Sequence, residues 1–148
     1  MHFFVSLGEN QIFLTVFAAW LLAQTIKVAI GVIREKRFNF KWFVGTGGMP
    51  SSHAATVASL ATAVGFTFGF ASPFFAIAFF LAFIIMFDAQ GVRRQSGRQA
   101  EVLNKIIEDI YLNRGVQQDR LIALLGHTPI QVFAGAALGV IVTIFCYQ

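Results

Sequence analysis

The chain has 148 residues, 57% of them hydrophobic and 12% charged, with a net charge of +4 and a mean hydropathy of +0.71. A soluble domain carries a charge fraction of about 25%, so composition excludes an ordinary soluble fold and predicts one membrane domain over residues 1–148. The single cysteine, Cys146, excludes a disulfide framework, and the crowding of positive charge into two segments argues against nucleic acid as the partner.

The first apolar run extends from about Gln11 to Ile33, long enough to cross a hydrocarbon core of ~30 Å. The N-terminus lacks a basic n-region, so no cleavable signal peptide is expected. Gln24, Lys27, Gly31 and Arg34 follow helical spacing down one face of this run. An ionisable Lys27 inside a span either faces the bundle interior or snorkels to the interface, with Arg34 as a stop charge.

A basic loop over 34–47 leads into Gly47-Gly48-Met49-Pro50-Ser51-Ser52-His53. The glycines let backbone approach a ligand. Pro50 and the serines start a helix whose free N–H groups suit an anion. The bland alternative is a junction with Ser51 or Ser52 as N-cap. The second apolar run goes from His53 to about Phe70 and is rich in Ala and Gly. Ser72-Pro73 makes a turn. The third run, about Phe74 to Phe87, is short for a span unless it continues to Gly91.

Asp88 and the pair Arg93, Arg94 follow. The guanidinium forks match phosphate oxygens, although an ion pair with Asp88 explains one of them equally well. From Val92 to Leu125 charges alternate with Val102, Leu103, Ile106, Ile107 and Ile110 at helical spacing, which predicts an amphipathic helix and a turn near Asn113-Arg114-Gly115. The fourth run spans Pro129 to about Tyr147. Thr128 is its expected N-cap and Gln131 completes a capping box, which leaves His127 unexplained beside a helix N-terminus. Gly135 and Gly139, four apart, predict close helix packing, within the chain or against a second copy.

The fold class expected is therefore all-α: a polytopic membrane bundle of about four spans plus a cytoplasmic amphipathic helix. Every Lys and Arg except Lys27 falls in 34–41 or 93–120, so the segments 34–47 and 92–125 are expected in the cytoplasm and both termini outside. Two histidines at helix starts, with fixed cations at the same depth, are what phosphoryl transfer needs.

At these residues the chain resembles the type-2 phosphatidic acid phosphatase superfamily, and more closely its compact divergent branch. Lys27 and Arg34 have the spacing of the superfamily's Lys-x6-Arg-Pro, with Glu35 for Pro. Pro50-Ser51-Ser52-His53 matches Pro-Ser-Gly-His with Ser for Gly. His127 matches the nucleophile position of the third motif, where Gln131 stands in place of Asp. Asp88-Ala89-Gln90-Gly91-Val92-Arg93-Arg94, Gln99-Ala100-Glu101-Val102-Leu103-Asn104 and Gly126-His127-Thr128-Pro129 resemble the divergent branch. No Ser-Arg lies six residues before His127, and Arg120 is one residue too far away; Arg93, ahead of Arg94, would supply that arginine from the end of the preceding span.

The resemblance implies a membrane lipid-phosphate phosphatase, hydrolysing a phosphomonoester or diphosphate through a phosphohistidine. His127 would be the nucleophile, His53 the acid and Gln131 the partner of His127. Lys27, Arg34, Gly48, Ser51, Ser52, Arg93 and Arg94 would hold phosphate. No metal or other cofactor is expected, because fixed cations take a metal's place and Asp88 with Glu101 is too sparse a ligand set. The expected partners are a lipid phosphate and membrane lipids, with a homodimer as a further candidate because the superfamily usually has more spans. The alternative is a non-catalytic membrane protein that binds an anionic headgroup as a scaffold or transport component. Gln131, which cannot stabilise an imidazolium as a carboxylate does, favours that alternative.

Overall fold

A computed structural model describes residues 2–36, 48–91, 99, 102–107 and 127–148. Five helices carry the fold: α1 (His2–Gly8), α2 (Gln11–Glu35), α3 (Ser52–Phe68), α4 (Pro73–Gln90) and α5 (Pro129–Cys146). The described residues contain no strand, and residues 102–107 are also helical. Among the described residues, three helices, α2, α4 and α5, are long and apolar enough to cross a membrane. The third apolar run does continue, to Gln90, which gives it a spanning length of 18 residues. The short helix α1 has no counterpart in the sequence reading.

Each helix starts where the side chains dictate. Asn10 accepts a hydrogen bond from the Phe13 N–H at 3.0 Å, Ser51 from Ala54 at 3.4 Å, and Ser72 from Phe75 at 3.2 Å. These caps satisfy N–H groups that have no partner within the helix. Pro73 and Pro129 each occupy the first turn, where a missing N–H costs nothing. Helix α2 ends at Lys36, which adopts a left-handed φ of 51° and donates its N–H to Val32.

Helix α3 is the hub. Nine of its residues are buried, mostly Ala, Ser and Gly. The outer helices bury only narrow stripes: Thr15, Ala19, Ala23, Gln24 and Lys27 on α2, and Ala78, Ala82 and Ala89 on α4. The bulky side chains face outward, with Phe80, Ile84 and Phe87 more than 60% exposed. That inversion suits a lipid solvent, where close backbone approach and van der Waals packing hold helices together.

Helices α3 and α5 run parallel and pack closest. A Cβ on Gly135 would overlap the Ser51 carbonyl oxygen, and one on Gly139 would overlap that of Ala55. One turn on, the Ser59 and Thr143 hydroxyls hydrogen-bond at 2.8 Å, both fully buried. The Gly135–Gly139 face is therefore used inside the chain. Gln11 at the start of α2 donates to the Cys146 carbonyl at the end of α5, so α2 runs antiparallel to that pair. Ala54 packs with Ala89, and Val57 and Ala61 with Ala78 and Ala82, so α4 is antiparallel to α3 as well. The N-termini of α3 and α5 and the C-termini of α2 and α4 thus share one end of the bundle.

Candidate functional site

That shared end holds the chemistry-bearing residues. Gly48 has a φ of +87°, which glycine adopts without strain. A Cβ there would lie 3.2 Å from Lys27 Cγ and 3.4 Å from Cδ. The loop before α3 therefore rests on the Lys27 stem, and Lys27 is 8% exposed within the bundle. Ser51 and Ser52 are buried behind it. The Ser51 N–H donates to the Gln131 carbonyl at 3.0 Å, which ties the loop to the first turn of α5.

His53 and His127 meet across this junction. Their ring centroids lie 6.3 Å apart with planes inclined by 58°. His127 is 3% exposed and His53 is half-buried.

Gln131 lies against His127. The Thr128 N–H can only donate, and it lies 3.0 Å from Gln131 Oε1. The same oxygen lies 3.3 Å from His127 Nδ1. A carbonyl oxygen can only accept, so this contact calls for a proton on Nδ1. The Gln131 N–H returns a bond to Thr128 Oγ1 at 3.4 Å, which closes the capping box. The box and the histidine are one unit, since the oxygen that closes the box also faces the imidazole expected to be its partner.

Of the residues expected in the site, Lys27, Gly48, Ser51, Ser52, His53, His127 and Gln131 lie at this end of the bundle. Arg34, nearly two turns beyond Lys27, is exposed rather than part of the buried group. Asp88 is half-buried near the end of α4. Arg93, Arg94 and Arg120 lie outside the described residues, as do Gly47 and most of the predicted amphipathic segment. Within that segment, 102–107 is helical with Val102, Leu103 and Ile106 exposed.

The pattern that defines the Divergent PAP2 family matches residues 8–142. The chain belongs to that family. This divergent PAP2 family member is also 41% identical over 151 residues to YuiD of Bacillus subtilis (strain 168), a match covering 95% of this chain and 96% of its relative. YuiD is itself described only as an uncharacterized membrane protein. The likeness fixes a membrane protein related to the PAP2 group rather than a reaction. No solved structure matches the chain.

Proposed function

We propose that this divergent PAP2 family member hydrolyses a phosphomonoester or diphosphate on a lipid at the cytoplasmic face, through a phosphohistidine. The observation that carries this is the pair His53 and His127, 6.3 Å apart between two helix N-termini, with the buried Lys27 packed on the same loop. The lone pair of His127 Nε2 attacks phosphorus in line. The bond from phosphorus to the lipid oxygen breaks, and protonated His53 gives its proton to that oxygen. His53, now neutral, takes a proton from water as the water oxygen attacks phosphorus. The nitrogen–phosphorus bond breaks and phosphate leaves. Lys27 and the backbone N–H groups around Gly48 and Ser52 stabilise charge on the phosphoryl oxygens, with Arg34 and Arg93 or Arg94 as outer cations.

One observation favours a second reading. Gln131 orients His127 but brings no negative charge to an imidazolium, which a headgroup-binding protein without catalysis would not need. Phosphate release by the purified protein in detergent, against a panel of lipid phosphates and with chelator present, separates the two. The enzyme reading expects release that persists in chelator and vanishes in His127→Ala. Binding of lipid phosphate without release from any substrate would leave the second reading in place. Release abolished by chelator would point to metal-dependent chemistry instead.

A further inference from the structure

Among the described residues, helices α2 and α4 both pack on α3 but not on each other. The face of α3 between them is the back wall of a crevice. Helical geometry of 100° per residue puts His53, Leu60 and Val64 within about 20° of one line along that face. His53 stands at the top of the line. Lower down, Leu60, Val64 and Phe68 of α3, with Phe74, Ile77 and Leu81 of α4, line an open apolar groove of about 240 Å³. Its floor is Ala78, 7% exposed, whose small side chain leaves the room.

From these placements, and resting on the proposed function, we infer that this groove holds one hydrocarbon chain of the lipid whose phosphate lies between His53 and His127. At 1.5 Å per residue, Leu60 lies about 10 Å and Phe68 about 22 Å below His53. Half a hydrocarbon core is about 15 Å, so the upper part of the groove, from Leu60 to Val64, lies at the depth reached by the tail of a lipid with its headgroup at the histidines. The groove lining has almost no polar surface, which excludes a sugar or a second headgroup as the occupant. A butyl chain held at the site ends above Leu60, whereas a hexadecyl chain runs past Val64. The site therefore selects long single-chain reach, and a water-soluble phosphate ester binds without the groove.

The test compares hexadecyl phosphate with butyl phosphate. Leu60→Trp fills the top of the groove, and Ile84→Trp on the outward face of α4, 62% exposed, is the control. Leu60→Trp should raise KM for hexadecyl phosphate about tenfold while leaving butyl phosphate within about twofold. Ile84→Trp should change neither. An equal effect of Leu60→Trp on both esters overturns the inference. A second measurement needs neither catalysis nor the variant. Hexadecyl phosphate carrying a photoreactive tail end should label the segments 60–68 and 74–81 of the parent protein. Labelling spread evenly over α4 and α5 overturns the inference. If neither ester is hydrolysed, the proposed function fails, and the labelling pattern still decides whether the groove holds the chain.

Discussion

Gln131 concentrates more of the site's geometry than either histidine. Its carbonyl accepts from Ser51. Its side-chain oxygen accepts from Thr128 and His127, and its N–H donates to Thr128. Replacing it separates two contributions. Gln131→Glu keeps the capping box, because a carboxylate accepts from Thr128 as well as an amide does. It also keeps the Nδ1–H tautomer and adds a charge that stabilises the developing imidazolium. The variant should fold like the parent and release phosphate at an equal or higher rate. Gln131→Leu loses the tautomer lock and should lower kcat by about tenfold or more. Single-turnover kinetics on both variants check this, and a Gln131→Glu that folds but is slower than Gln131→Leu contradicts the assigned role. Both parts of the role were legible in the sequence: the spacing from Thr128 to Gln131 announces a capping box, and the resemblance makes Gln131 the partner of His127. That one oxygen serves both is seen only in the structure. The resemblance puts Gly48 and Lys27 in one phosphate-binding set, but the direct packing of Gly48 on the Lys27 stem depends on the path of the intervening loop.

Among the elements, α3 and α5 form the frame on which both histidines sit. The histidines keep their spacing only while these two helices stay in register, and that register is held by Gly135, Gly139 and the Ser59–Thr143 hydrogen bond. A leucine at Gly139 would have to displace the Ala55 backbone, so Gly139→Leu should separate the helices and abolish the folded protein in detergent. Thr143→Val keeps the shape and removes the hydroxyl's interhelical contacts with the Ser59 hydroxyl and carbonyl; an interhelical hydrogen bond in membranes is worth about 0.6–1.7 kcal/mol. Thermal unfolding in detergent should show a modest loss for Thr143→Val and no cooperative transition for Gly139→Leu. A Gly139→Leu protein as stable as the parent would contradict the packing. The helix ends were legible because Ser51, Ser72-Pro73 and Thr128-Pro129 cap them by local chemistry. The partner of the glycine face was not, since small residues allow close approach without naming what approaches. Helix α1 was missed because seven residues show too few turns of periodicity.

For the whole molecule, one end of the bundle gathers two helix N-termini, both histidines and Lys27. The basic segments 34–41 and 93–120 flank the same helix ends in sequence. Positive charge of this kind stays on the cytoplasmic side, so the site should open inward and Glu9 should lie outside. In a Cys146→Ser background, an impermeant thiol reagent applied to intact cells should label Glu9→Cys and spare Arg98→Cys. The opposite pattern would invert the orientation and move the substrate to the outer leaflet. Overall fold class and the cluster of candidate residues at one end follow from the sequence, because hydropathy and charge asymmetry act over whole segments. The crevice between α2 and α4 does not, because it depends on which helices fail to touch.

The most direct measurement is the capture of the covalent intermediate. Purified protein is mixed with a lipid phosphate carrying radiolabelled phosphorus, quenched in base, and digested. The account predicts acid-labile label on the peptide containing His127, with none in His127→Ala. It also predicts label that persists longer in His53→Ala when the leaving group needs little protonation, because that variant has lost the base that activates water. Label that fails to form on His127 while substrate is being hydrolysed, or label that forms equally in His127→Ala, would contradict it.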